Sequence, residues 1–213
     1  MDALYIAGLA SAFAFLGAGI KYIDSVFDEG VFDKRIALIL TAICGILMGV
    51  LIASDPYAAA VLIAIVLGVA LTQKIDNFAF LIGASLAIGI PVLVANVTTF
   101  YFLPIAVLVF GGILDEIGNN MVDAGRIRNR AGQVFFHYRL TTEVLMGMLV
   151  ILGQVPAPYW LALILFDLSY HIVGGHAEKV KLSQFSITRG ETSAEIWTRL
   201  QQAPLASPEG RRD

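Results

Sequence analysis

Two short runs of this sequence concentrate hard oxygen ligands at helical spacing. The first extends from Lys21-Tyr22-Ile23-Asp24-Ser25-Val26-Phe27-Asp28 to Asp33-Lys34-Arg35 and puts Asp24 and Asp28 at i and i+4. On one helix those carboxylates face the same way. The second puts Asp115, Asn119 and Asp123 at i, i+4 and i+8, a stripe of three oxygen-bearing side chains. Like charges so spaced repel unless a cation lies between them. Mg2+ suits such a place, since it prefers hard oxygens and commonly uses one or two carboxylates with phosphate oxygens and water. Asp24, Asp28, Asp33, Asp115, Asn119 and Asp123 are therefore candidate Mg2+ ligands; the plainer alternative is solvated helix ends. Asp167 lies inside the apolar run Leu163-Ile164-Leu165-Phe166-Asp167-Leu168, and Glu143 lies one turn into another. An ionised side chain at bilayer depth costs roughly 2.5–3.5 kcal/mol on insertion scales, so it normally faces a partner or a polar cavity. Asp167, followed one turn later by Tyr170 and His171, is the strongest single functional position, with a buried interhelical hydrogen bond as its plainer role.

Cations are interleaved with these acids. Lys21 opens the first run, Lys74 precedes Asp76 and Asn77, and Arg126, Arg128, Arg130, His137 and Arg139 follow the second run. A diphosphate-bearing lipid needs this mixture: carboxylates to hold Mg2+, and Lys or Arg to neutralise the remaining phosphate charge. The arginines also serve topology and attraction to anionic lipid.

The elements that would position these residues are membrane helices. Of 213 residues, 58% are hydrophobic and 15% charged, against about 25% charged in soluble domains. That leaves no room for a large extramembrane catalytic domain, and a net charge of -3 argues against nucleic acid as a partner. Seven apolar runs stand out, at 3–20, 36–53, 57–72, 78–95, 100–114, 140–152 and 159–173. The first lacks a basic leader and a cleavage signature and reads as a retained span. All fourteen Lys and Arg fall on one side of this arrangement. Basic residues accumulate in cytoplasmic loops, so the expected fold is an all-α, polytopic bundle of about seven transmembrane helices, N-terminus outside and C-terminus cytoplasmic. Residues 1–176 form the membrane domain and 177–213 a cytoplasmic polar tail. The acidic clusters then share the cytoplasmic face. The single cysteine, Cys44, reads as filler, and Trp160 beside Tyr159 as an interfacial anchor.

An offset of 91 residues pairs Asp24 with Asp115, Asp28 with Asn119, Arg35 with Arg126 and Asp76 with Asp167, a weak internal echo of a duplicated unit. The order of features, Asp24–Arg35, four apolar runs, then Asp115-Glu116-Ile117-Gly118-Asn119-Asn120-Met121-Val122-Asp123-Ala124-Gly125-Arg126, resembles the UbiA superfamily of intramembrane prenyltransferases. The resemblance implies a lipid-open helical cavity with Mg2+ and an isoprenyl diphosphate between the two motifs, and a hydrophobic or lipid-like acceptor. Asp24, Asp28, Asp115, Asp123 and Asp167 would then be catalytic, and Lys21, Lys74, Asn119, Arg126, Arg130, Tyr170 and His171 would bind substrate. A reading from another class is a cation- or proton-coupled transporter or channel using Asp167, Glu143, Asp76 and His171 as a relay. Asp123-Ala124-Gly125-Arg126 is only a fragment of a CDP-alcohol phosphotransferase pattern, and a scaffold role is a further alternative.

Overall fold

The computed structural model describes residues 2–72, 78–94 and 101–189, with side chains to residue 184. Among them the fold is all-α, in eight helices: α1 (Ala3–Phe27), α2 (Lys34–Ser54), α3 (Pro56–Leu71), α4 (Phe78–Val94), α5 (Phe102–Asp123), α6 (Arg130–His137), α7 (Leu140–Ile151) and α8 (Ala157–Arg189). By length and apolarity α1, α2, α5 and α8 can each cross a membrane. The α6–α7 pair, bent by 69°, adds a fifth candidate, while α3 and α4 are shorter apolar helices. Large side chains such as Ile39, Leu93, Phe102 and Ile151 stay exposed, as a lipid-facing surface allows.

The boundaries follow local chemistry. Asp33 caps α2 by accepting from the Arg35 N–H at 2.6 Å. Asp55 alone separates α2 from α3, accepting from the N–H groups of Tyr57 and Ala58 at 2.8 and 2.9 Å, and Pro56 opens α3 where its missing donor costs nothing. α5 closes in a Schellman motif: Gly125, at φ +67°, donates to Val122 O while Arg126 N donates to Met121 O, satisfying carbonyls the helix leaves orphaned.

α1 lies along α8, and α2 along α4. Small residues set how close they come. A Cβ on Gly17 would sit 2.1 Å from the Phe166 carbonyl oxygen, and one on Gly45 2.9 Å from that of Gly83, the small-residue packing typical of helices in lipid. Ser169 Oγ ties α8 to α1 by donating to Ala14 O at 2.7 Å. Phe13, Leu16, Leu62, Met146, Tyr159 and Phe166 form the interior. At one end Asp55 accepts hydrogen bonds from the hydroxyls of Tyr5 and Tyr159, joining the start of α1, the α2–α3 corner and the start of α8.

Three departures from the sequence reading matter for the site. α1 runs seven residues past its apolar stretch, to Phe27. α6 forms within the segment expected to be a polar link. The boundary drawn at 176/177 falls inside α8, which continues to Arg189.

Candidate functional site

Far along α1 from Tyr5, a cavity of about 980 Å³ opens between α1, α5, α6 and α8. α1 and its end supply Lys21, Asp24, Asp28 and Glu29; α5 supplies Asp115, Glu116 and Asn119; the α6 end and its junction with α7 supply His137, Tyr138 and Arg139; α8 supplies Tyr170, His171, Glu178 and Lys181. Both acidic runs therefore meet on one cavity. Two smaller pockets of about 70 and 80 Å³ adjoin it. The first, among α1–α4, is almost wholly apolar and shares Ile20, Ile65, Val69 and Phe80 with the main cavity. The second shares Glu116 and Arg139 and also contains Thr142 and Asp167.

The charged groups are specifically arranged. Lys21 Nζ lies 2.6 Å from Asp24 Oδ2 and 3.3 Å from Glu29 Oε1, and Lys181 Nζ lies 3.6 Å from Glu29 Oε2. The Tyr170 hydroxyl donates to Asp24 Oδ2 at 3.5 Å. Its ring is approached by two cations, Lys21 Nζ at 5.5 Å and the Arg139 guanidinium at 5.0 Å, within cation–π range. The His171 ring stands 5.5 Å from that of His137 and 4.9 Å from that of Tyr138, and its Nε2 is buried without a hydrogen-bond partner.

Asp115 is a special case. It accepts from Thr141 N at 3.0 Å, Thr142 N at 2.8 Å and Thr142 Oγ1 at 2.7 Å, so it caps α7 from across the bundle with 2% of its surface exposed. These three bonds hold the carboxylate to the start of α7 at the wall of the cavity. Asp167 is buried on α8, beside Glu143 and in the field of Arg139. Glu143 Oε2 accepts from the Trp160 indole N–H at 2.8 Å, while Oε1 is buried and unpartnered.

Other expected site residues lie apart. Asp33 caps α2, and Asp123, Arg126 and Arg130 are exposed and do not line the cavity. Lys74 and Asp76 lie outside the described residues. Among the described residues no three His, Cys, Asp or Glu side chains group to hold a metal ion; of the six expected ligands, Asp24, Asp28, Asp115 and Asn119 line the cavity, and Asp33 and Asp123 do not. Asp24 and Asp28, both on the cavity, remain a two-carboxylate set of the kind Mg2+ completes with phosphate and water.

Sequence reasoning gave Arg139 no site role of its own, and it took Trp160 for an interfacial anchor. The indole packs on Gly147, where a Cβ would come within 2.8 Å of it, and donates to Glu143. The available signal was Glu143 itself, since a carboxylate in an apolar helix needs a donor. Asp55 was likewise given no role, though it gathers four donors. Searches of protein-family models, curated proteins and solved structures found no match for this chain.

Proposed function

We propose that this protein is an intramembrane prenyltransferase-like enzyme that binds an isoprenyl diphosphate in the cavity and transfers the prenyl group to a hydrophobic or lipid-like acceptor. In the same reading the chain spans the membrane seven times, with its N-terminus outside and the cavity opening to the cytoplasm. One observation carries the proposal: a large cavity where Lys21, Asp24 and Asp28 of α1 face Asn119 of α5 adjoins an apolar pocket. A ligand with a charged head and a hydrocarbon chain needs that pairing.

Asp24 and Asp28 would hold Mg2+, which supplies positive charge opposite the diphosphate. Lys21, Arg139 and Lys181 add charge complementarity to the leaving group, whose stabilisation is the main catalytic requirement when an allylic C–O bond breaks. Tyr170 helps hold the Lys21–Asp24 pair, donating its hydroxyl to Asp24 and presenting its ring to Lys21. Phe80 and Ile65 keep water from the chain, and His171, with its free nitrogen, can accept the acceptor's proton. The test is labelled geranylgeranyl diphosphate with Mg2+ and a panel of acceptors. Transfer that is lost in Asp28→Ala is expected; wild type releasing no more diphosphate than that variant would overturn the proposal.

The buried Asp167–Glu143 neighbours favour the second reading, ion-coupled transport through a carboxylate relay. Uptake into proteoliposomes that Asp167→Asn abolishes would support it, and absence of flux for protons and for every cation tried would remove it.

A further inference from the structure

Arg139 stands apart from the other cations of the cavity wall. Lys21 and Lys181 are ion-paired. Among the described residues, no carboxylate oxygen lies within 4.0 Å of the Arg139 nitrogens, although Asp167, Glu116 and Asp115 all act on it at longer range. Its backbone sits in the left-handed region at φ +52°, uncommon for a side-chain-bearing residue, at the 69° bend between α6 and α7. Arg139 lines both the main cavity and the 80 Å³ pocket. A planar fork of five N–H donors over the Tyr170 ring, with no carboxylate at ion-pair distance among the described residues, suits bidentate recognition of a phosphate.

The surrounding charges decide what must accompany such a ligand. Asp167 on α8 and Glu143 on α7 lie side by side. Asp115 on α5 is already satisfied by α7, and Glu116 completes the α5 contribution. α3 brings no ionisable group to the pocket, only Thr72 and small or apolar residues; Lys21 and Asp24 of α1 neutralise each other; and from α8 and the α6 end Tyr170, His171 and His137 also face the cavity, Tyr170 with its ring 5.0 Å from the Arg139 guanidinium. Arg139 is thus the local counter-charge of Asp167 and Glu143. An added oxyanion would leave uncompensated negative charge away from water, which is costly; a proton on the carboxylate pair removes it.

We propose that Arg139 binds the phosphate of the cavity's ligand, and that the ligand enters together with one proton, taken up by the Asp167–Glu143 pair as Arg139 turns to the phosphate. This rests on the reading of the cavity as a site for a phosphate-bearing lipid, but it requires binding alone, not prenyl transfer.

Titration calorimetry on the full chain in detergent, without Mg2+, tests it with three probes: inorganic pyrophosphate, geranyl diphosphate and geraniol. Both phosphate-bearing probes bind and geraniol does not; geranyl diphosphate binding more tightly than pyrophosphate assigns the phosphate to a lipid head, and equal binding assigns it to a free anion. Arg139→Lys, which keeps the charge but loses the fork, weakens binding by roughly tenfold or more. In two buffers of different ionisation enthalpy the wild type shows a heat difference reporting proton uptake, and Asp167→Asn binds more tightly with that difference reduced. Should Arg139→Lys fail to fold, Asp167→Asn carries the test. Failure of both phosphate probes to bind, unchanged affinity in Arg139→Lys, or buffer-independent heat in the wild type each overturns the proposal. Binding with these signatures but no transfer to any acceptor would overturn the enzymatic reading and leave this one standing.

Discussion

The carboxylate of Asp115 takes the first N–H groups of α7 together with the Thr142 hydroxyl, whereas Asp28 is an exposed residue at the end of α1. The same substitution should therefore act on different quantities. Asp115→Ala strands buried donors and costs about 2 kcal/mol, a drop of roughly 4–8 °C in melting temperature for a chain of this size. Asp28→Ala should lower the melting temperature less than Asp115→Ala does and weaken Mg2+-dependent ligand binding. Thermal scanning in detergent checks both, and equal melting temperatures for Asp115→Ala and wild type would refute the capping role. The stripe Asp115, Asn119, Asp123 was legible as a pattern but not as one site. At about 100° per residue, a residue four positions on lies some 40° from the first and one eight positions on about 80°. Asn119 thus stays on the cavity while Asp123 turns away, exposed at the end of α5. Arg139 could not be singled out from its basic neighbours, because its position depends on a left-handed backbone that local sequence does not demand.

α6 is the element that hydropathy hid. Its eight residues are too few and too polar for a span, so only the amphipathic alternation around Val134 and Phe136 could betray it. It is seated by shape: Phe136 lies on Gly118 of α5, where a Cβ would come within 2.0 Å of the ring. Gly118→Ala must therefore push Phe136, and with it the wall that carries His137 to Arg139, off α5. Trypsin should then cleave faster after Arg126, Arg128 and Arg130, and Phe136→Ala in the same chain should restore the slower rate. An unchanged digestion rate in Gly118→Ala would show that α6 is held by something else. α1 makes a related point, for its apolar run stops near Ile20 while the helix continues to Phe27. Lys21 and Asp24 pair with each other, so the helix can carry them into the cavity wall instead of ending at the first charge.

Across the whole molecule the two ends differ in kind. One is closed by Asp55 with the Tyr5 and Tyr159 hydroxyls; the other opens into the charged cavity. Tyr159→Phe should lower stability by about 1 kcal/mol, the net worth of one hydrogen bond, without affecting ligand binding at the far end. The proposed orientation has its own check. In a Cys44→Ser background, Gln154→Cys should react with a membrane-impermeant maleimide in intact cells and Asn129→Cys only after permeabilisation; the reverse pattern would invert the topology. Helical class and the apolar runs are written in the sequence, since burying every backbone polar group in lipid leaves a long apolar run little choice but helix. Which acids face a common cavity, which one is spent on capping α7, and which arginine lines both pockets were decided by tertiary structure. Those outcomes depend on how far each helix extends past its apolar run and on where a glycine lets another helix approach, and neither distance is encoded in the periodicity of a single segment.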